Sequence, residues 1–197
     1  FIMVATYSLF YIMTAFAQAY SRTPATLSEA GYPMGLGIPA NTFTGLLLIS
    51  AIVFAIFIII SGLYADKIGR RKWLIWTTVS ILIFALCMPL FLGNGTPTSV
   101  FAFLVIGMAL MGMTFGPMAA LLPELFPTEV RYSGASLAYN IASIIGATTT
   151  IAAMISLKIN ALYGLMGVGI YLPINAFLTL LALLASKETK NVDLTQI

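Results

Sequence analysis

Six apolar stretches, each about 20 residues long, limit what this chain can fold into. They cover residues 1–20, 42–64, 73–92, 99–122, 135–157 and 165–186. A helix of about 20 apolar residues is long enough to cross the hydrocarbon core of a bilayer. The stretches lack the alternation of a membrane barrel strand, and helices satisfy their backbone hydrogen bonds internally. We therefore predict an all-α membrane protein with one domain of six transmembrane helices over residues 1–197.

Composition and charge narrow the function classes further. Hydrophobic residues make up 60% of the chain and charged residues 8%, whereas a soluble domain carries about 25% charged residues. The sequence has no His and a single Cys, so it predicts no internal disulfide, no Cys/His metal site and no cofactor. The net charge of +3 comes from basic residues between apolar stretches, a pattern that indicates no nucleic-acid partner.

The basic residues also predict an orientation, because Lys and Arg collect in cytoplasmic connections. One side of the six stretches carries seven of them, and the other side carries two. The two sets are Lys67, Arg70, Arg71, Lys72, Arg131, Lys187 and Lys190 on one side, and Arg22 and Lys158 on the other. This bias predicts a multi-pass protein with both ends of the chain in the cytoplasm. The chain starts at Phe1, within an apolar stretch, so we expect it to be a fragment.

A short basic turn lies between the second and third stretches. Residues 62–72 read Gly-Leu-Tyr-Ala-Asp-Lys-Ile-Gly-Arg-Arg-Lys. This run resembles the loop signature of the major facilitator superfamily. Gly62 and Gly69 suit a close helix approach and a sharp turn, and Asp66 can serve as an ion-pair partner or a helix cap. An ordinary cytoplasmic loop would explain the charges but not the Gly-Asp-Gly-Arg spacing.

A second motif lies between the fourth and fifth stretches. Residues 123–136 read Pro-Glu-Leu-Phe-Pro-Thr-Glu-Val-Arg-Tyr-Ser-Gly-Ala-Ser. This run is similar to the connection between the tenth and eleventh helices of superfamily members, and Glu124 and Arg131 match its E-x6-R pattern. Together with residues 187–194, it most resembles the metabolite:proton symporter family, whose members carry shikimate, dicarboxylates, citrate or proline/betaine.

This resemblance implies the C-terminal six-helix half of a twelve-helix transporter in the plasma membrane. Its expected partners are the lipid bilayer, a missing N-terminal six-helix half, a small-molecule substrate and protons. The implied function is alternating-access proton symport of a small polar metabolite, either a carboxylate such as shikimate or a betaine- or proline-like osmolyte. A facilitator without proton coupling is the nearest alternative. A membrane-embedded enzyme, a more distant alternative, would need a cluster of His, Asp or Glu near the membrane surface.

The resemblance also implies a gate built from the charges of the two motifs. We expect Glu124 to contact Arg70 or Arg71, and Arg131 to lie near Asp66. A bidentate Arg–carboxylate pair is directional and strong, so such pairs could hold the inner side closed and break as it opens. The alternative is that these charges only set the topology, since an exposed pair contributes about 0–1 kcal/mol.

Two stripes of polar residues lie inside the apolar stretches. Helical spacing puts each stripe on one face, and polar groups that face lipid are costly. The stripes are Tyr7, Tyr11, Thr14 and Gln18 in the first stretch, and Ser136, Asn140, Ser143 and Thr150 in the fifth. The family resemblance places them beside a central cavity, with Tyr7, Tyr11, Gln18, Asn140 and Ser143 as candidate substrate contacts. Interhelical hydrogen bonding is the alternative.

The stretches carry no ionisable Asp, Glu, Lys, Arg or His deep inside them. A proton-coupled carrier needs a titratable group with access to water, so we expect the missing half to supply it. In the fourth stretch, Gly112 and Gly116 form a small-xxx-small pair that predicts close helix contact. Pro117 beside them removes a backbone hydrogen bond and predicts a kink.

Overall fold

The described part of the chain is built from helices joined by short connections. The computed structural model describes residues 1–27, 34–159, 165 and 170–186. The first apolar stretch forms three helical segments in direct succession, which are α1 (Val4–Tyr11), a π-helical turn (Ile12–Phe16) and α2 (Ala17–Arg22). The later helices are α3 (Ala40–Ile68), α4 (Arg70–Leu92), α5 (Pro97–Glu124), α6 (Arg131–Ile159) and α7 (Tyr171–Ala185).

The helical class is confirmed, and these helices overlap all six apolar stretches. Within the described ranges, α3, α4 and α5 are each long and apolar enough to cross a membrane, and α7 is a shorter apolar helix. The number of six spans therefore stays a prediction. The tail residues 187–194 of the second resemblance lie outside the described residues.

Gly69 makes the turn between α3 and α4. Its φ is 112°, a conformation that residues with a Cβ rarely adopt. Its N–H donates to the Ala65 carbonyl at 2.9 Å, and its own carbonyl accepts from Trp73 N–H at 3.0 Å. One residue thus ends a 29-residue helix and begins the next, which confirms the predicted sharp turn.

Helices α3 and α5 touch through the glycines of α5. A Cβ on Gly112 would lie 2.6 Å from the Phe54 carbonyl oxygen, and one on Gly116 would lie 2.6 Å from that of Ile58. Ser61 Oγ donates to the Gly112 carbonyl at 3.0 Å across the same contact. The predicted small-xxx-small packing is therefore confirmed, because any side chain at these positions would collide with backbone.

Gly62 lies at this close helix approach, but through its backbone and not through its missing side chain. A Cβ on Gly62 would meet nothing within 4 Å. The Gly62 backbone nitrogen lies 2.9 Å from the position of a Cβ on Gly116, so the crowding falls on α5. A Cβ added to Gly62 would point away from the contact with α5, whereas the Gly62 backbone faces it.

The first helix lies inside the bundle, whereas α3 lies on its outside. Leu9, Ile12 and Phe16 are fully buried among α4, α5 and α7 side chains. In α3, Leu48 and Ile59 are 66% and 67% exposed. Exposing such an apolar surface to water is unfavourable, so this face suits contact with lipid or with another membrane domain.

The two ends of the bundle differ in composition. At one end, Arg70 pairs with Glu124 and Arg71 reaches the last turn of α7, so the α3–α4 turn and the ends of α5 and α7 lie together. We call this region the charged end. At the other end, Ile38 N–H donates to the Ser21 carbonyl at 2.7 Å, and the uncharged turn at Gly95 approaches Leu36.

Candidate functional site

Arg70 is the centre of the charged end. Its Nε donates to Asp66 Oδ1 at 3.0 Å within the turn, and its Nη1 forms a short ion pair with Glu124 Oε1. The Asp66 side chain is 62% exposed, whereas Arg70 and Glu124 are 19% and 13% exposed. The pair that joins α4 to α5 is therefore shielded from water, and the predicted contact of Glu124 with Arg70 is present. The exposed pair within the turn contributes little.

Arg71 joins the same turn to α7. Its Nε donates to the Leu183 carbonyl and its Nη2 to the Leu184 carbonyl, each at 2.8 Å. The last carbonyls of a helix lack partners in their own helix and carry partial negative charge. A guanidinium satisfies two of them at once, so Arg71 caps α7. The sequence predicted Arg71 as a cation of the cytoplasmic side and as an alternative partner of Glu124, but it did not predict this cap.

Arg131 does not form the expected pair with Asp66 in this conformation. Its Nε donates to the Phe126 carbonyl at 3.4 Å, and the ion pairs found among the described residues all belong to Arg70. Arg131 begins α6, and its side chain folds back onto the 125–130 connection that precedes the helix. Arg131 Nη2 and Glu124 Oε2 are both buried without a hydrogen-bond partner.

A cleft of about 570 Å³ opens where α5 ends and α6 begins. Its lining residues are Pro123, Thr128, Arg131, Tyr132, Ala135, Ser136 and Tyr139. Tyr132 and Tyr139 were not predicted as site residues. Their spacing could have revealed them, because Tyr132, Ser136 and Tyr139 follow the 0, 4, 7 offsets of a single helix face.

The two predicted polar stripes meet at one point. Tyr11 Oη lies 3.4 Å from Ser143 Oγ, a hydrogen bond between the first helix and α6. Tyr7, Tyr11 and Gln18 are half-buried. The stripe on the first helix therefore borders a partly open face that α6 partly covers.

The rest of the second stripe is divided between different environments. Asn140 is exposed, and its Nδ2 donates to the Ser136 carbonyl of its own helix at 2.8 Å. Thr150 is buried, and its hydroxyl has no partner. Ser143 is therefore the stripe residue of α6 that reaches the first helix, while Asn140 is satisfied by its own backbone.

A third polar contact was not predicted from the sequence. Asn175 Nδ2 of α7 donates to Ser8 Oγ at 2.8 Å, and Thr179 Oγ1 accepts from the Ala5 N–H at 3.0 Å. Both partners on α1 are buried. The signal in the sequence was the i, i+4 spacing of Asn175 and Thr179 in an otherwise apolar stretch. This contact fixes α1 against α7.

Comparisons with known proteins give a consistent result. The family model described as Major Facilitator Superfamily matches residues 1–150. A Haemophilus influenzae protein described as a candidate metabolite transport protein is 85% identical over all 197 residues, and the Escherichia coli inner membrane metabolite transport protein YhjE is 50% identical over 98% of the chain. A Salmonella typhimurium proline/betaine transporter is 34% identical over 75% of the chain.

The chain spans only part of these relatives. It covers 44% of the H. influenzae protein, 42% of YhjE and 29% of the proline/betaine transporter. No solved structure matches it.

Proposed function

Because the chain belongs to the major facilitator superfamily, we propose that it is the C-terminal six-helix half of a carrier for a small polar metabolite. The chain is an integral membrane protein, and its family and relatives are transport proteins rather than enzymes. Its coverage of under half of the relatives supports a second, N-terminal half that completes the carrier. The exposed apolar face of α3 supports burial against lipid or that half.

The proposed mechanism is alternating access, in which two halves rock about a site near the middle of the bilayer. The charged end closes one side. Arg70 and Glu124 join α4 to α5 through a shielded ion pair, and such pairs switch between discrete arrangements. Glu124 Oε2 and Arg131 Nη2 lack partners here, so both groups gain from an opening that supplies new ones. The charge bias supports placing this end, and both chain termini, in the cytoplasm.

The substrate site in this proposal is the half-buried polar face formed by Tyr7, Tyr11, Gln18, Asn140 and Ser143. The contact between Tyr11 and Ser143 is the observation that carries it. At 3.4 Å it is a long hydrogen bond between hydroxyls, and such bonds inside membranes average about 0.6 kcal/mol. A substrate with donors and acceptors can replace so weak a contact at little cost.

The groups that this face lacks limit how transport could be coupled to protons. The described spans offer hydroxyls, amides and aromatic rings but no ionisable acid or base at membrane depth. Proton coupling then depends on a titratable group in the other half. The substrate classes consistent with the resemblance and with the named relatives are carboxylates such as shikimate or a dicarboxylate, and proline- or betaine-like osmolytes. A facilitator without proton coupling is the second candidate, because the apolar stretches of this chain supply no acid or base that would bind a coupling proton.

A chimera tests the proposal. Residues 1–197 would replace the matching 44% of the 85% identical H. influenzae relative, and purified chimera would be placed in proteoliposomes. We expect uptake of a labelled metabolite from a panel of carboxylates, proline and glycine betaine. Residues 1–197 alone should give no uptake, since a site between two halves cannot form from one.

Two results would contradict this proposal. Uptake by residues 1–197 alone would show that the chain is not half of a carrier. A chimera that shows no uptake, although the H. influenzae parent is active, would show that the chain does not serve as the C-terminal half. An imposed pH gradient separates the two candidates. Acceleration by an inward proton gradient supports symport, and uptake insensitive to the gradient supports the facilitator.

A further inference from the structure

The guanidinium of Arg131 carries a buried donor that lacks an acceptor. Its Nε donates to the Phe126 carbonyl over a long 3.4 Å, and its Nη2 is buried without a hydrogen-bond partner. Glu124, the acid of the same motif, is bound to Arg70 through Oε1. A buried charge without a partner is unfavourable. Arg131 is therefore suited to bind an anion that the described part of the chain does not supply.

The cleft at the start of α6 offers space for such an anion. Arg131 lines this cleft of about 570 Å³, together with the hydroxyl-bearing side chains Tyr132, Ser136 and Tyr139 of the same helix. Among the described residues that line it, none is Asp or Glu. Hydroxyls can donate to an oxyanion, and the guanidinium fork matches the geometry of carboxylates and phosphates. We call this site the Arg131 cleft.

The charges around the Arg131 cleft favour an anion of single charge. Arg131 supplies one positive charge, and the negative charge of Glu124 is balanced by Arg70. Glu129 is exposed in the connection before α6, where it would repel further negative charge. A dianion would leave one charge uncompensated in a half-buried site, which is unfavourable. A phosphodiester or a monocarboxylate meets this requirement.

An apolar ridge on α6 begins beside the cleft. Leu137 directly follows Ser136, and aliphatic side chains recur after it at offsets of 4, 7 and 14 residues, which share one helix face. All four are about half exposed or more, and we call them the α6 ridge: Leu137, Ile141, Ile144 and Ile151. The ridge covers about 21 Å of helix, and one leaflet contributes about 15 Å of hydrocarbon. An oxyanion site beside such a ridge matches an amphipathic ligand.

We propose that the Arg131 cleft binds the phosphodiester group of a membrane phospholipid, with an acyl chain along the α6 ridge. A phosphodiester carries one negative charge on two free oxygens, which match one guanidinium and the neighbouring hydroxyls. Tyr132 is 89% exposed at this end of α6, and Tyr is enriched where hydrocarbon meets headgroups. Basic pockets between membrane helices recognise lipid headgroups. A free carboxylate would satisfy the guanidinium but would leave the ridge uncovered.

The site is separate from the proposed substrate face. Ser143, where α6 meets Tyr11, lies twelve residues after Arg131, about 18 Å along the helix. The Arg131 cleft lies instead beside the connection that joins Glu124 to α6. A lipid bound there would contact the charged end, and its binding can be measured without transport.

The test measures lipid binding to the purified chimera by native mass spectrometry. Short-chain phosphatidylglycerol should bind the parent. The matching diacylglycerol, which lacks the phosphate, and glycerophosphoglycerol, which lacks the chains, should each bind at least tenfold more weakly. Arg131→Gln should weaken phosphatidylglycerol binding by about 10- to 100-fold, since it removes hydrogen bonds to a charged group. Lys72→Gln removes the same charge from an exposed position at the charged end and should bind as the parent does.

A pair of variants at position 136 covers the case in which Arg131→Gln fails to fold. Ser136 is exposed, so Ser136→Asp and Ser136→Asn are both accommodated and differ from each other only in charge. The carboxylate would pair with Arg131 and repel the phosphodiester. Ser136→Asp should therefore bind phosphatidylglycerol about tenfold or more weakly than Ser136→Asn, because like charges at close range oppose binding.

Four results would overturn the inference. Two are equal binding by Arg131→Gln and the parent, and equal binding by the two Ser136 variants. The third is diacylglycerol binding as tightly as phosphatidylglycerol, which would show an apolar groove without a phosphate site. The fourth is equally tight binding of glycerophosphoglycerol, which would show a site for soluble phosphodiesters instead of lipid. Each of these leaves the proposed transport function standing, and intact lipid binding by a chimera that shows no uptake would contradict that function alone.

Discussion

The charged end and the polar face of this bundle hold helices together in opposite ways. At the charged end, Arg70 and Arg71 make charge-assisted bonds that tie α4 to α5 and to α7. At the polar face, Tyr11 and Ser143 make one long bond between neutral hydroxyls, and Asn140 bonds to its own helix. The first set is strong and shared among helices, and the second is weak and largely local.

This difference suits two separate tasks. Contacts that define a closed state must be strong, because a gate with a bias of only a few tenths of a kcal/mol stays partly open. Contacts that a substrate replaces must be weak, because their strength is subtracted from the binding energy. We infer that the charged end determines which state is populated and that the polar face determines what is bound.

The largest expected effect comes from Gly116→Ala, which should damage both regions at once. Helix α5 carries Glu124 at the charged end and Phe115, whose ring packs against that of Tyr7 at the polar face. Gly116 holds this helix against α3. An added Cβ would lie 2.6 Å from the Ile58 carbonyl oxygen, and overpacking of this kind costs about 1–3 kcal/mol. The melting temperature of the purified chimera should fall. Gly62→Ala on the facing helix is the matched control, since its Cβ meets nothing within 4 Å, and an equal loss there would refute this packing.

The next effect separates the two regions. Arg70→Gln removes the partner of a Glu124 side chain that is 13% exposed, which should destabilise the closed charged end by about 1–3 kcal/mol. The turnover rate should change. The affinity for substrate should stay the same when equilibrium binding is measured on protein held in one state, either open or closed. Lys72→Gln removes the same charge from an exposed position in the same turn and should leave turnover near that of the parent. A change confined to affinity in Arg70→Gln would contradict the division of tasks.

The smallest effect is expected at the polar face. Tyr11→Phe and Ser143→Ala should each change the apparent affinity for substrate a few-fold, because each removes a neutral hydrogen-bonding group worth about 0.5–1.5 kcal/mol. A double-mutant cycle should give a coupling below about 1 kcal/mol, as expected for a 3.4 Å bond. The cycle would be measured by uptake in the presence of substrate and by thermal unfolding of the purified chimera in its absence. If the two mutations act independently when substrate is present and are coupled only when it is absent, the substrate replaces the contact between Tyr11 and Ser143. A coupling above about 2 kcal/mol would show that this contact holds the helices together, as the contacts of the charged end do.

The charged end was more predictable from the sequence than the polar face. The spacing around Gly69 predicted the turn, and the E-x6-R match led to the Glu124–Arg70 pair. The motifs predicted other partners for Arg131 and Arg71, because a motif identifies the residues but does not show which groups a long side chain can reach. Arg131 satisfies the carbonyl of Phe126, and Arg71 satisfies the last carbonyls of α7, and both are local alternatives that a pattern of charges does not reveal.

At the polar face, helical periodicity predicted which residues share a side of a helix but not which helices meet there. The approach of α6 to Tyr7 depends on Gly146, where a Cβ would lie 2.9 Å from the Tyr7 carbonyl carbon. No pattern within the fifth stretch pairs this glycine with the first helix. The contact of Asn175 with Ser8 depends likewise on tertiary packing. The π-helical turn at Ile12–Phe16 also changes the register between Tyr11 and Gln18, which an ideal helical wheel does not anticipate.

The accessibility of the polar face from the charged end tests the central claim most directly. Thr14→Cys places a thiol on the half-buried stripe, in a chimera whose half-buried Cys87 has been changed to Ser. A membrane-impermeant thiol reagent would be applied from the side of the charged end. The claim predicts that Arg70→Gln speeds labelling about tenfold, the factor that corresponds to about 1.4 kcal/mol of gate stability, while Lys72→Gln leaves the labelling rate unchanged. Equal labelling rates in Arg70→Gln and in the parent would contradict the claim that the charged end controls access to the polar face.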